Sequence, residues 1–136
     1  MTYELLIKNL PALLAAIFTA VLFIQSGLDK VLDWKGNLDF ITGHFSKTFL
    51  APTVPIMFAT ITLMEVTTGV LSAVGAVYFL VTGSTVVIFY AGILGALSIT
   101  ALFFGQRVAK DYPGAAVLVP YFILMLVQIY VADPVR

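Results

Sequence analysis

One acid sits in the most apolar part of this chain. Residues 48–106, the fifty-nine between Lys47 and Arg107, contain a single formally charged side chain, Glu65. Placed ten residues beyond Pro55 on a helix, it lies about 15 Å along the axis, close to the middle of a bilayer. Insertion scales charge an acidic residue there roughly 2.5–3.5 kcal/mol. A carboxyl group at that depth has two uses. It can relay a proton or hydrogen-bond the head of a quinone, or it can join helices through a hydrogen bond worth about 0.6 kcal/mol. Polar groups expected at matching depth on other helices are Thr19, Ser98 and Tyr121, with Gln25 reaching the acid through a water.

The remaining charges gather elsewhere. Asp29, Lys30 and Asp33 follow the first apolar run, and Arg107, Lys110 and Asp111 follow the third. Gly27 precedes Asp33-Trp34 at the same offset at which Gly105 precedes Asp111-Tyr112. Pairing of Asp29 with Arg107 across the bundle would close one end of it above a substrate or quinone cavity. Cysteine is absent and His44 is the one histidine, so thiol chemistry, iron–sulfur ligation and bis-histidine haem binding within one chain are excluded. The chain alone is therefore expected to hold no metal and no cofactor, with a quinone or a lipid as the ligand to consider. No catalytic set is visible. Net charge is zero, which leaves no basic face for nucleic acid.

The elements that position these residues follow from hydropathy. Of 136 residues 61% are hydrophobic and 10% charged, and mean hydropathy is +1.07, too apolar for a water-facing globule. Four runs are long enough to cross hydrocarbon as helices, at about 9–32, 53–81, 85–108 and 113–133. The expected fold is an all-α transmembrane four-helix bundle, a single membrane domain over 1–136. Between the first two spans, Leu38, Ile41, Phe45 and Phe49 recur at helical spacing, predicting a short amphipathic interfacial helix over about 37–50 with Asn37 as its cap. Five of the seven basic residues (Lys30, Lys35, Lys47, Arg107, Lys110) fall on the side of loops 33–52 and 107–112, against Lys8 and Arg136 on the other. That bias predicts cytoplasmic loops and external termini, with a bacterial inner membrane as the expected location and lipid as the main partner.

Small residues at contact spacing mark helix-packing faces. Gly69 with Ala73, and Gly92 with Ala96 beside Ala91 with Gly95, fit the small-xxx-small pattern, and Gly27 adds a small site on the first span. They serve packing inside the bundle or, alternatively, a face for a partner.

Two segments resemble the DoxX family. Gln25-Ser26-Gly27-Leu28-Asp29-Lys30-Val31-Leu32 is similar to the glycine–lysine end of that family's first span. Met64-Glu65-Val66-Thr67-Thr68-Gly69-Val70-Leu71 resembles its second-span signature, an acid followed four residues later by glycine. The resemblance implies a four-helix integral membrane protein in which Gly27, Lys30, Glu65 and Gly69 occupy the matched positions. It also implies work beside larger redox-complex subunits, as a non-catalytic accessory or scaffold subunit. The alternatives are a quinone-reactive electron-transfer subunit, resembling the small subunit of thiosulfate:quinone oxidoreductase, and a small transporter.

Overall fold

The computed structural model describes residues 1–135 and is helical throughout, with four helices long and apolar enough to cross a membrane. Arg136, counted above in the charge bias, lies outside the described residues. A short α1 (Tyr3–Lys8), capped by the Thr2 hydroxyl on Leu5 N at 3.2 Å, leads into the first span α2 (Leu10–Leu32). Pro11 sits in the first turn of α2, where its missing N–H has no helical partner to lose. After α3 (Trp34–His44) and a single 3₁₀ turn (Ala51–Thr53) comes α4 (Val54–Thr82), the longest rod. Gly83 ends it with φ +77°, a left-handed cap that suits glycine. The third span is α5 (Val86–Val108).

The fourth crossing is broken. It consists of α6 (Tyr112–Ala116) and α7 (Leu118–Ala132), interrupted at Val117. Pro120 stands four residues after Ala116 and has no N–H to return to that carbonyl, so the helical ladder is cut in this turn.

The rods pack in the ring order α2, α4, α5, α7, with α2 and α5 largely on the diagonal. Two apolar clusters fill the centre. Ala12, Ala16, Phe79, Ile88 and Ala132 lie toward the termini, and Phe23, Ile99 and Met125 toward the loops. Much of the outside is apolar too, with Leu63, Val81 and Ile123 among many exposed aliphatics, as expected where lipid is the solvent. This is an integral membrane protein.

Glycines set the closest approaches. A Cβ on Gly69 would stand 2.7 Å from the Ile24 backbone nitrogen, and one on Gly27 would stand 2.5 Å from Val66 Cγ2. Gly75 meets Ile88 backbone, Gly92 meets Ile129, and Gly95 meets Met125 and Thr68. The small-residue stripes are thus consumed within the bundle, with Ala73 only partly buried beside them.

The interfacial helix differs from expectation at both ends. It starts at Trp34 because Asp33, not Asn37, caps it, accepting from Gly36 N at 3.3 Å. Asn37 instead donates to the Asp29 and Asp33 carbonyls, tying α3 to the end of α2. Helix ends at His44, after Gly43, and turns follow. Phe45, the C-cap, is buried, but Phe49 lies further beyond the helix and is 73% exposed.

Candidate functional site

Glu65 is 1% exposed, and the structure gives it two partners from α2. Ser26 Oγ donates to Glu65 Oε2. The Lys30 ammonium stands 2.9 Å from Oε1, out of line for a hydrogen bond, so that contact is ionic. Lys30 Nζ also donates to Ser26 Oγ at 3.0 Å and, at 3.4 Å, to the Ser26 carbonyl. Serine therefore bridges the two charges, accepting from one and donating to the other. Charge-assisted bonds of this kind are the stronger ones, and they offset the desolvation of two ions.

Helix phase explains why Ser26 and Lys30 are chosen. They are four residues apart on the face of α2 that packs on α4, while Gln25, 100° from Ser26, is exposed and does not reach the acid. The expectation that Gln25 meets Glu65 is corrected on that ground.

The level of Glu65 along the bundle follows from the same packing. Gly27 against Val66 and Gly69 against Ile24 place the acid level with residue 27 of α2. That is six residues from the middle of that helix, about 9 Å toward the loops. Along its own helix, Glu65 is three residues from the middle of α4.

The other polar residues do not converge on Glu65. Thr19 Oγ1 donates to Gln128 Oε1 at 2.7 Å, and Gln128 Nε2 donates to the Ile88 carbonyl at 3.0 Å, all of it buried. Sequence reasoning passed over Gln128, although an amide inside the last apolar run was the visible signal. Ser98 Oγ donates to its own helix at Leu94 O, 2.8 Å away, and stands 3.4 Å from Thr68 Oγ1. Tyr121 packs, partly buried, against the Phe23–Ile99–Met125 cluster. Ser72 Oγ is fully buried without a hydrogen-bond partner.

At the loop end, Asp29 and Arg107 do not pair. The ion pairs among the described residues are Lys30–Glu65 and His44–Asp111. Asp29 and Arg107 are both exposed on helices that are diagonal in the ring, and the Arg107 guanidinium lies 5.3 Å over the Tyr112 ring. The matched Asp33-Trp34 and Asp111-Tyr112 segments prove to be equivalent helix caps. Each aspartate accepts from the N–H of a glycine three residues on, Gly36 or Gly114. A Cβ on either glycine would fall within 2.6 Å of that carboxylate. Local capping thus accounts for the repeat.

Lys30 also faces a cavity of about 480 Å³ between α4 and α5, roofed by α3. Its walls are mostly apolar, including Ile56, Phe58, Ile61, Met64 and Leu102, and the roof is Phe40, Ile41 and Phe45. The size is that of a small-molecule site. His44, Gln106 and Asp111 line its loop end, while the Lys30 ammonium, held beside Ser26 and Glu65, lines its inner end near Met64. His44 Nε2 is 2.9 Å from Gln106 Oε1 and 3.7 Å from Asp111 Oδ2, linking the roof to the α5–α6 turn. Glu65 does not line the cavity; it stands behind Lys30. Trp34, the one tryptophan, packs its ring 4.4 Å from that of Phe58. An apolar body with a hydrogen-bond acceptor at one end matches this shape.

No protein-family model, no curated protein and no solved structure matches the chain.

Proposed function

We propose that the chain is an accessory membrane subunit that holds a quinone-type head group and leaves redox chemistry to a larger partner complex. The observation that carries this reading is the placement of Lys30 at the inner end of an apolar cavity, with Glu65 and Ser26 fixing its ammonium. The ammonium would donate to a quinone carbonyl oxygen. Glu65 acts as a positioning residue, which reverses the roles suggested by the sequence, where the acid itself met the ligand. Lacking cysteine and carrying one histidine, the chain offers few ligands for an electron-transfer centre of its own, and electrons would come from the partner.

The four positions of the DoxX resemblance support the same locus. Gly27 and Gly69 bring α2 and α4 together, and Lys30 and Glu65 pair beside that contact. Membership in that family, a bacterial inner membrane and cytoplasmic loops belong to the proposal. A purely scaffolding role draws no support from the small-residue stripes, which face inward.

Trp34 makes the test simple, since quinones quench indole fluorescence and its ring abuts the cavity wall at Phe58. Titration of decyl-ubiquinone into lipid nanodiscs should give saturable quenching. Lys30→Met should weaken it at least tenfold, and Ile61→Trp, which fills the cavity from its wall, should abolish the saturable phase as read by displacement of a radiolabelled quinone. Linear, unsaturable quenching in the native chain would sink the reading.

A further inference from the structure

A second cavity, of about 620 Å³, lies on the other side of His44. It is lined by the turns after α3 (Ser46, Lys47, Thr48, Phe49) and by the end of α5 with the turn beyond it (Val108, Lys110). Two cations from separate segments therefore share one basin, and among the described residues no acid lines it. Neither lysine belongs to an ion pair among the described residues. Asp111, which faces His44, lines the other cavity.

The hydroxyls in the basin are already committed as donors. Ser46 Oγ donates to Gly43 O at 2.9 Å, and Thr48 Oγ1 donates to Phe45 O at 2.9 Å. The two ammoniums are its cationic donors, and their chemistry calls for an anion with several acceptor oxygens. Phe49 and Val108 add apolar wall, and Phe49 is 73% exposed. Paired cations beside apolar surface, at the end of a bundle whose outside is apolar, describe an amphiphile's receptor.

We propose that this basin binds the phosphate of an anionic phospholipid from the surrounding bilayer. Lys47 and Lys110 hold the phosphate oxygens, and the chains leave past Phe49 toward hydrocarbon. The site is separate from the Lys30 cavity, so the two readings stand or fall independently.

The test uses the full chain in nanodiscs of phosphatidylcholine with phosphatidylglycerol, followed by native mass spectrometry of the retained lipid. Lys110 has φ +61°, so Asn, which tolerates that conformation, is the substitution of choice there. Lys47→Gln or Lys110→Asn alone should lower the preference for phosphatidylglycerol about fivefold, and the pair about thirtyfold. Lys35→Gln, exposed on α3 and outside the basin, should leave the preference unchanged. The single variants keep the test open if the double variant fails to insert. Equal retention of both lipids by the native chain, retention unaffected by the basin variants, or an equal loss in Lys35→Gln would overturn the assignment. So would displacement of the lipid by millimolar glycerophosphate, which would mark a site for free anions.

Discussion

Removing one partner of the Lys30–Glu65 pair should have unequal consequences. Glu65 is 1% exposed and Lys30's side chain 20% exposed, with Lys30 two residues from the end of α2. Lys30→Met keeps the aliphatic stem but leaves the carboxyl buried with Ser26 alone. Breaking a buried pair in this way costs about 3–5 kcal/mol, and insertion scales for an acid in hydrocarbon suggest about 3 kcal/mol. Glu65→Leu leaves an ammonium that can swing toward the headgroups, as long basic side chains do near helix ends, so about 1.5 kcal/mol is expected. The double variant replaces both ions by apolar groups and should lose about 1 kcal/mol or less. The resulting coupling is about 3.5 kcal/mol, to be measured by reversible unfolding of the four chains in bicelles. Coupling below about 1 kcal/mol, or a milder loss for Lys30→Met than for Glu65→Leu, would refute the reasoning.

Gly69→Ala should destabilise the bundle by about 2 kcal/mol or more, because its Cβ meets Ile24 backbone at 2.7 Å. Gly43→Ala, with nothing within 4 Å of its Cβ and helical geometry around it, should instead stabilise by about 0.5–1 kcal/mol; thermal unfolding of the two variants checks the contrast. Ser72→Ala removes a buried hydroxyl with no partner and should raise stability by about 1 kcal/mol, and a lowered melting temperature would show that the hydroxyl is bonded after all.

The four crossings were legible because a run of some twenty apolar residues has one physical solution in lipid, and span ends fell within a few residues of expectation. What the sequence concealed was rotation and register. Gln25 and Ser26 are adjacent and equally suited to reach an acid, and only the packing of α2 on α4 decides between them. Lys30 stands in sequence between Asp29 and Asp33 and is grouped with them on that ground, yet the helix turns it inward while both aspartates stay exposed. The cavity could not be read at all. It arises where α3 covers the α4–α5 groove, and that contact joins residues sixty apart, as His44 and Gln106 do.

Register also gives the buried pair a purpose that does not depend on its net energy. Apolar helices gain little from hydrophobic exclusion in lipid, so α2 and α4 could slide on one another at small cost unless shape or charge forbids it. Gly27 against Val66 and Gly69 against Ile24 supply the shape, two notches that admit a facing residue only at one setting. Lys30 and Glu65 supply the charge. A slip of one turn, about 5.4 Å, would carry the ammonium from 2.9 Å to well beyond contact and strand the carboxyl. Notches and charges therefore select the same setting, and that setting delivers Lys30 to the cavity wall. The packing of the first two spans and the polarity of the cavity are one arrangement: a substitution that shifts the notches must also move the Lys30 ammonium that faces the apolar chamber.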